Sequence, residues 1–385
     1  MSLDLWFRIA IVLPAFGTLE ASSKRRILLT EDAYVMPMTL DYVAARKQFD
    51  KSNMLQEMEN APSRLKPPAD AETTFSNSFD VPRNIVIGGV GGSGIAGDIV
   101  TDYVKTRSTI PISVCRAYNL PTYVDKDTLF LAISYSGETH ETLNLLEEAH
   151  KRRAKVATVT SGGRMLVASL AKKIPYLKVT SGLPPRVALP ELLAAALFAL
   201  GKATLSKEPE TILHNASSAL ATEIQSIKCE TPTNDNKAKQ MAERLHDRLP
   251  LLLGPEERVS VLRRFKNELN ENSKMPAVYM CMPECYHDDI EGLESLISLA
   301  SVQPVLLRTW ETGHQPKTVE SLVALMKELG FPPIMTFQGH GEDVLSELLT
   351  AITFGDFVSV YLALLRRIDP TTLLLIPKFR AAAAS

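Results

Sequence analysis

The sequence predicts an α/β fold with two parallel sheets, each flanked by helices on both faces. Three observations carry this. Short apolar runs alternate with helix-length amphipathic segments; the alternation occurs twice, with a polar stretch between; and the glycine-rich loop GGVGGSGIAGD (Gly88 to Asp98) stands between the first run and the first helix of the series. A chain of 385 residues also exceeds what a single hydrophobic core usually organises, so two substantial halves are expected.

Taken in order, the apolar spacing from Leu40 to Glu59 predicts a helix, ended by Pro62, Pro67 and Pro68. Asn84 to Ile87 reads as a buried strand, Ser93 to Val104 as a helix, and Ile112 to Cys115 and Leu129 to Ile133 as strands. A helix from Thr139 to Arg153, strands at Lys155 to Thr160 and Ile174 to Val179, and an Ala/Leu-rich helix from Arg186 to Leu200 complete the first series. The polar, helical stretch Ser206 to Asn236, interrupted at Thr231, Pro232 and Thr233, reads as the connection. The second series runs through strands at Pro250 to Leu253, Ala277 to Cys281, Pro304 to Leu307 and Pro333 to Phe337. Its helices fall at Glu256 to Glu268, Gly292 to Leu299, Lys317 to Leu329 and, longest of all, Glu342 to Leu365. The organisation expected is an extension at 1–38 outside the fold, a first half at 39–205, a connection at 206–236 and a second half at 237–385, with the cleft between the halves as the default site.

Composition excludes several functions. A net charge of -2 gives no global attraction to nucleic acid or to an anionic membrane, so any basic site must be local. Leu5 to Leu19 stands as the only long apolar run; it carries Arg8 and Pro14 and is too short to span a bilayer. It also lacks the basic start of a signal peptide, so no membrane association is expected. Four scattered cysteines suit a reducing, cytoplasmic setting better than a disulfide scaffold. Cys281, Cys285 and His287 form a CxxxCxH cluster that lacks an evident fourth ligand; two half-buried thiols are the simpler account, and no metal or other cofactor is expected.

The glycine loop contains GxGxxG at Gly89, Gly91 and Gly94. A dinucleotide site also wants an acid at the end of the second strand, about 20 residues on, to hold the ribose. That strand ends in Arg116, which leaves a 2′-phosphorylated cofactor open, beside a plain tight turn packing strand on helix. The next strand end, LFLAISYSGETHET, gathers Ser134, Ser136, Thr139 and Thr142 into one turn leading into a helix. Hydroxyls, backbone N–H groups and a positive helix end there suit a single phosphoryl group, and an ordinary capping box is the competing account.

GGVGGSGIAGD followed by AISYSGETHET resembles the first half of a sugar isomerase (SIS) domain pair, a fold that binds phosphosugars. DKSNM (Asp50 to Met54), GLPPRVALPELL (Gly182 to Leu193), FKNELNENSKMPA (Phe265 to Ala277), PECYHDDIEG (Pro283 to Gly292) and YLALLRRIDPTTLLLIPK (Tyr361 to Lys378) are similar to the bifunctional phosphoglucose/phosphomannose isomerases of archaea and some bacteria. The resemblance spans residues 39 to 378. It implies a metal-free aldose-ketose isomerase working through a cis-enediol(ate), with hexose 6-phosphates as substrates.

Residue by residue, the resemblance implies that Ser93, Ser134, Ser136 and Thr139 anchor the phosphate, with Gly92 allowing close approach. Glu271 matches the proton-transferring carboxylate, Arg186 the arginine that stabilises the enediolate, and Lys378 a C-terminal lysine assisting at the ring oxygen. His287 matches the ring-opening group, which in the family comes from the neighbouring subunit, implying a homodimer with shared sites. Thr371 falls at a small hydroxyl residue associated with room for C2 to rotate, and so with mannose as well as glucose 6-phosphate. Taken alone, each has an ordinary account: an exposed acid at a helix end, a solvent-facing arginine, a surface histidine, a tail lysine.

Glu138 departs from the family by setting a negative charge in the phosphate turn, and Asp288 replaces a common Asn. The reading of a different class is a non-catalytic SIS module that senses a sugar phosphate; it gives no reason for Glu271, His287, Arg186 and Lys378 to occur together. A nicotinamide oxidoreductase does not need the Ser/Thr turn, and seven histidines without an HxH cluster disfavour a metal-dependent isomerase.

Overall fold

The computed structural model describes residues 40–71, 75, 79–203, 209–309 and 316–383. The expected N-terminal extension and its apolar run lie outside the described residues.

Three short helices come first among the described residues, α1 (Val43–Phe49), α2 (Met54–Glu59) and α3 (Ala61–Arg64). The single helix expected over 40–59 is broken because the Asp50 carboxylate accepts from the N–H groups of Met54 at 2.6 Å and Leu55 at 3.0 Å, while Asn53 takes a left-handed conformation. A side chain that satisfies the free amides of a new first turn starts a second helix rather than extending the first.

The first sheet contains β1 (Asn84–Gly88), β2 (Ile112–Cys115), β3 (Thr128–Ser134), β4 (Lys155–Thr160) and β5 (Tyr176–Lys178), all parallel in the order β2-β1-β3-β4-β5. Its crossovers are α4 (Gly91–Val104), α5 (His140–Lys151) and α6 (Gly163–Lys172), and α7 (Leu189–Ala203) follows β5. Helix α6 was not expected from the sequence. Ser161 of its SGG start donates its hydroxyl to the Tyr135 carbonyl at 2.6 Å rather than capping, and the turn rests on Gly163 at a φ of 66°.

Helix α8 (Pro209–Ile227) lies in the stretch expected as the connection, and α9 (Lys237–Leu245) leads into the second sheet. That sheet holds β6 (Leu249–Pro255), β7 (Val278–Met282), β8 (Val302–Arg308) and β9 (Met335–Gln338), again all parallel, in the order β7-β6-β8-β9. Around it run α10 (Val259–Glu268), α11 (Leu293–Leu299), α12 (Pro316–Glu328) and α13 (Val344–Leu365), and an exposed helix α14 (Leu375–Ala383) follows. The long apolar run at Leu5 to Leu19 is therefore not the only one: α13 is also long and apolar enough to cross a membrane, but nearly its whole circumference is buried against other elements, the pattern of a core helix.

Alternation along each strand sends side chains to two different cores. From the first sheet, Ile85, Ile87, Leu129, Leu131 and Ile133 enter a large central core, whereas Val86, Phe130 and Ala132 enter an outer one under α5. From the second sheet, Leu252, Val305 and Leu307 enter the same central core, and Leu251, Leu253 and Leu306 a third, outer one. The central core includes residues of α4, α7, α10 and α13, so the two sheets share one apolar layer.

Candidate active site

In open parallel sheets, ligands bind beyond the carboxyl ends of the two strands between which the crossover direction reverses. Here those strands are β1 and β3. The loops after them are the glycine-rich segment and the Ser/Thr turn, so topology alone brings together the two segments singled out in the sequence.

Gly91, the first residue of α4, adopts a φ of 56° that a side chain would strain. The N-cap residue of the helix, Val90, makes no side-chain hydrogen bond to the first-turn amides. Ser93 on that turn accepts from the N–H of Tyr135 at 3.2 Å, tying the glycine loop to the Ser/Thr turn. In that turn the buried Ser134 hydroxyl donates to Thr139 Oγ1 at 3.1 Å, and the exposed Ser136 hydroxyl accepts from the Glu138 N–H at 3.2 Å. Thr139 is the N-cap residue of α5 but makes no capping hydrogen bond. The capping-box account is thereby set aside. The hydroxyls bond to each other and to turn amides, and two uncapped helix starts face a common loop cluster.

Glu138 does not keep its charge free in the turn. Its carboxylate takes the Arg164 Nε at 2.7 Å and the Arg164 N–H at 2.9 Å, at the start of α6. These hydrogen bonds hold its carboxyl below the usual range.

The Tyr135 hydroxyl accepts from the N–H of Leu183 at 2.8 Å, which connects the turn to the segment carrying Arg186. Gly92 borders the same segment: a Cβ there would stand 3.9 Å from the Pro185 carbonyl. Arg186 sits in a 3-10 turn, Pro185–Ala188, that runs directly into α7, and is buried. Its Nε is 3.8 Å from Glu271 Oε2. Nη1 donates to Asn272 Oδ1 at 2.8 Å and to the Pro370 carbonyl at 3.0 Å, and Nη2 to the Thr371 carbonyl at 2.7 Å.

Glu271 is half-buried within a π-helical turn, Leu269–Ser273, that continues α10. Such wide turns re-aim side chains and recur at functional sites. Lys274 closes this one in a left-handed conformation at φ 55°, with Nζ donating to the carbonyls of Glu271 at 2.6 Å and Asn272 at 3.2 Å. Burial, reinforced by Arg186, pushes the Lys274 ammonium down to about 8. The Thr371 hydroxyl is buried and has no hydrogen-bond partner among the described residues.

Two expected residues are not brought to this cluster within the chain. His287 is exposed after the 3-10 turn Glu284–Tyr286, and no hydrogen bond or ion pair among the described residues joins it to Arg186, Glu271 or Thr371. Lys378 is exposed on α14, where Leu375 and Phe379 are also 78% and 74% exposed. Cys285 is fully buried and only Cys281 is half-buried, correcting the expectation of two half-buried thiols. Asp288 caps the following 3-10 turn by accepting from the Asp289 N–H.

Beneath the site lies a set of charges that the sequence did not single out. Arg264 Nη1 meets Glu268 Oε1 at 2.7 Å, while Nε and Nη2 grip both oxygens of Asp356 at 2.9 Å. Burial pushes the Glu268 carboxyl up and Arg264 pulls it back. Only the i,i+4 spacing of Arg264 and Glu268 could have signalled the pair; Asp356 comes from the far end of the sequence.

Two helix-flanked parallel sheets, with hydroxyl-lined turns at the switch point of the first, define a protein of the sugar isomerase (SIS) class. Residues 79–183 match the SIS domain, and residues 234–382 match the bacterial phospho-glucose isomerase C-terminal SIS domain. The chain belongs to the bifunctional phosphoglucose/phosphomannose isomerase family. It is 31% identical to the bifunctional phosphoglucose/phosphomannose isomerase of Aquifex aeolicus, over 75% of this chain and 86% of that protein. It is 29% identical to the protein of the same name from Caldicellulosiruptor bescii, over 83% and 95%. In fold it resembles the crystal structure of a glucose-6-phosphate isomerase like protein from Thermus thermophilus, with a TM-score of 0.57 at 16% identity, covering 89% of this chain and 98% of that one.

Proposed function

We propose that this chain is a metal-independent aldose-ketose isomerase that interconverts glucose 6-phosphate, and mannose 6-phosphate, with fructose 6-phosphate. The observation that carries the reading is the approach of Glu271 to the buried Arg186, 3.8 Å apart, on a segment tied to the Ser/Thr turn. In this reading the phosphate is held by Ser93, Ser134, Ser136, Thr139 and the amides of the two helix starts, with Gly92 giving access. Glu271 takes the proton from C2 of the open aldose and returns it to C1, and the positive charge of Arg186 stabilises the oxyanion of the cis-enediol(ate) between these steps. Thr371 offers its free hydroxyl beside the reacting carbons, where C2 must rotate for both epimers to be made.

Ring opening is assigned to Lys378 and to His287 of the partner subunit, so a homodimer with shared sites belongs to the proposal. Exposure of both residues, together with the apolar Leu375 and Phe379 on α14, supports it. The division into a phosphate-binding half at 39–205, a helical connection at 206–236 and a half with a C-terminal catalytic tail at 237–385 is proposed alongside, as is a cytoplasmic location, supported by four free cysteines.

Purified protein given fructose 6-phosphate in the presence of a chelator is expected to form both glucose and mannose 6-phosphate. Glu271→Gln should retain substrate binding but lose exchange of the C2 proton with solvent. Saturable binding without turnover in the unsubstituted protein would instead identify a sugar-phosphate sensor.

A further inference from the structure

Both terminal nitrogens of Arg186 are committed to protein acceptors, and Nε is the edge that faces Glu271. Of the acceptors, two are backbone carbonyls, of Pro370 and Thr371; the third is the side chain of Asn272. The amide of Asn272 is fully used. Its Oδ1 accepts from Arg186, and its Nδ2 donates to Glu268 Oε2 and to Ser359 Oγ, each at 2.8 Å. This pattern fixes the amide's orientation, because the flipped form would set NH2 against a guanidinium and oxygen against a carboxylate.

Glu268 is in turn fixed by Arg264 at 2.7 Å, and Arg264 Nη2 also donates to the backbone carbonyl of Arg186 at 2.9 Å. Arg186 is thus held at its carbonyl and at its guanidinium by one buried network. Asn272, Glu268, Arg264 and Ser359 are each no more than 2% exposed, so water does not compete for these bonds.

We propose that Asn272 is the positioning residue for the Arg186 guanidinium, and that Glu268 sets the amide that does so. The inference rests on the isomerase reading, in which Arg186 meets charge that develops only at the enediolate. A guanidinium held in place before the reaction needs no reorganisation as that charge appears. Loss of Asn272 should then weaken binding of the enediolate far more than binding of the sugar phosphate, whose anchor lies on the first sheet's loops.

The experiment compares the unsubstituted protein with Asn272→Ala, Asn272→Asp and the double variant Glu268→Gln/Asn272→Asp. Fructose 6-phosphate turnover is measured along with the affinity for a phosphorylated hydroxamate that mimics the enediolate. Asn272→Ala is expected to lower kcat and mimic affinity together by roughly tenfold or more, with KM within about twofold. Asn272→Asp sets one carboxylate against another and should be impaired at least as much. The double variant exchanges donor and acceptor, since the side-chain amide introduced at position 268 can donate to the new carboxylate while still accepting from Arg264, and the Ser359 hydroxyl can turn from the Asp356 carbonyl to donate to that carboxylate; it should recover to within about threefold of the original kcat.

Turnover in the unsubstituted protein with kcat unchanged in Asn272→Ala overturns this inference alone. Equal loss of ground-state and mimic affinity, without recovery in the double variant, overturns it too, since that is the signature of a merely structural contact. An unsubstituted protein that does not turn over fructose 6-phosphate overturns the isomerase reading, and this inference with it.

Discussion

Under the proposed function, a carboxylate in the phosphate turn need not repel the phosphate if another group holds it, and Glu138 is held by Arg164. Arg164 takes both of its oxygens, by Nε and by its backbone N–H, so the charge is spent on the start of α6. Ser134, by contrast, is buried and donates its hydroxyl hydrogen within the turn. Under the proposed function, Ser134→Ala should raise KM for fructose 6-phosphate by roughly tenfold, the worth of a hydrogen bond to a charged group, whereas Glu138→Gln should leave KM within about twofold. Steady-state kinetics on the two variants separates them. A large rise in KM for Glu138→Gln would mean that the carboxylate organises the turn. The role of Glu138 was not legible in the sequence, because Arg164 lies 26 residues on and meets it only through the crossover to the neighbouring strand.

Elements of the two halves meet where α4 crosses α10, and the contact is polar at more than one point: Arg263 Nη1 of α10 donates to Asp98 Oδ2 of α4 at 2.7 Å. The Asp102 carboxylate of α4 accepts from the backbone N–H of Ser260 at 2.9 Å, satisfying a free amide at the start of α10 from another helix. Burial pushes this carboxyl up from 3.8 to about 6. The folded chain therefore holds the Asp102 proton more tightly than the unfolded chain does. Its contribution to stability is fully present below about pH 3.8 and is lost as the pH rises through about 6. Asp102→Asn keeps an acceptor for Ser260 and cannot ionise. Urea unfolding midpoints measured from pH 4 to pH 7 should accordingly be flatter with pH for Asp102→Asn than for the unsubstituted protein, and higher at pH 7; an identical pH dependence would remove Asp102 from this role. The strands and most helices around this contact were legible from apolar periodicity, because alternating side chains must fill two cores. Helix α6 and the break at Asp50 were not, since one rests on glycine conformation and the other on a side chain capping four residues ahead.

At the scale of the molecule, the stretch expected as a connection is bound into the structure. Lys239 is fully buried and its Nζ donates to Asp41 at 2.8 Å, to the Cys229 carbonyl at 2.8 Å and to the Thr231 carbonyl at 2.7 Å, while the Tyr361 hydroxyl of α13 donates to the Ile227 carbonyl at 2.6 Å. The proposed dimer adds one more level. If His287 of the partner subunit completes each site, mixing the inactive variants Glu271→Gln and His287→Ala and allowing subunits to exchange should regenerate activity, up to roughly a quarter of the original, because each mixed dimer holds one site free of both lesions. No regain after exchange, with mixed dimers demonstrated by sedimentation or mass spectrometry, would place His287 in its own chain's site or outside catalysis.

The sequence by itself determined the two parallel sheets and the phosphate-like turns, because periodicity and short motifs are local properties of the chain; Glu271 and Arg186 became candidates only through the family resemblance. Only the tertiary structure decided that Asn272, Glu268, Arg264 and Asp356 brace Arg186, and that Glu138 is held away by Arg164. The groups around Arg186 come from separate stretches of the chain joined by a buried core, where a charge reveals its role only once the groups that replace its water are in place, whereas Glu138 and Arg164 are exposed and meet across a crossover.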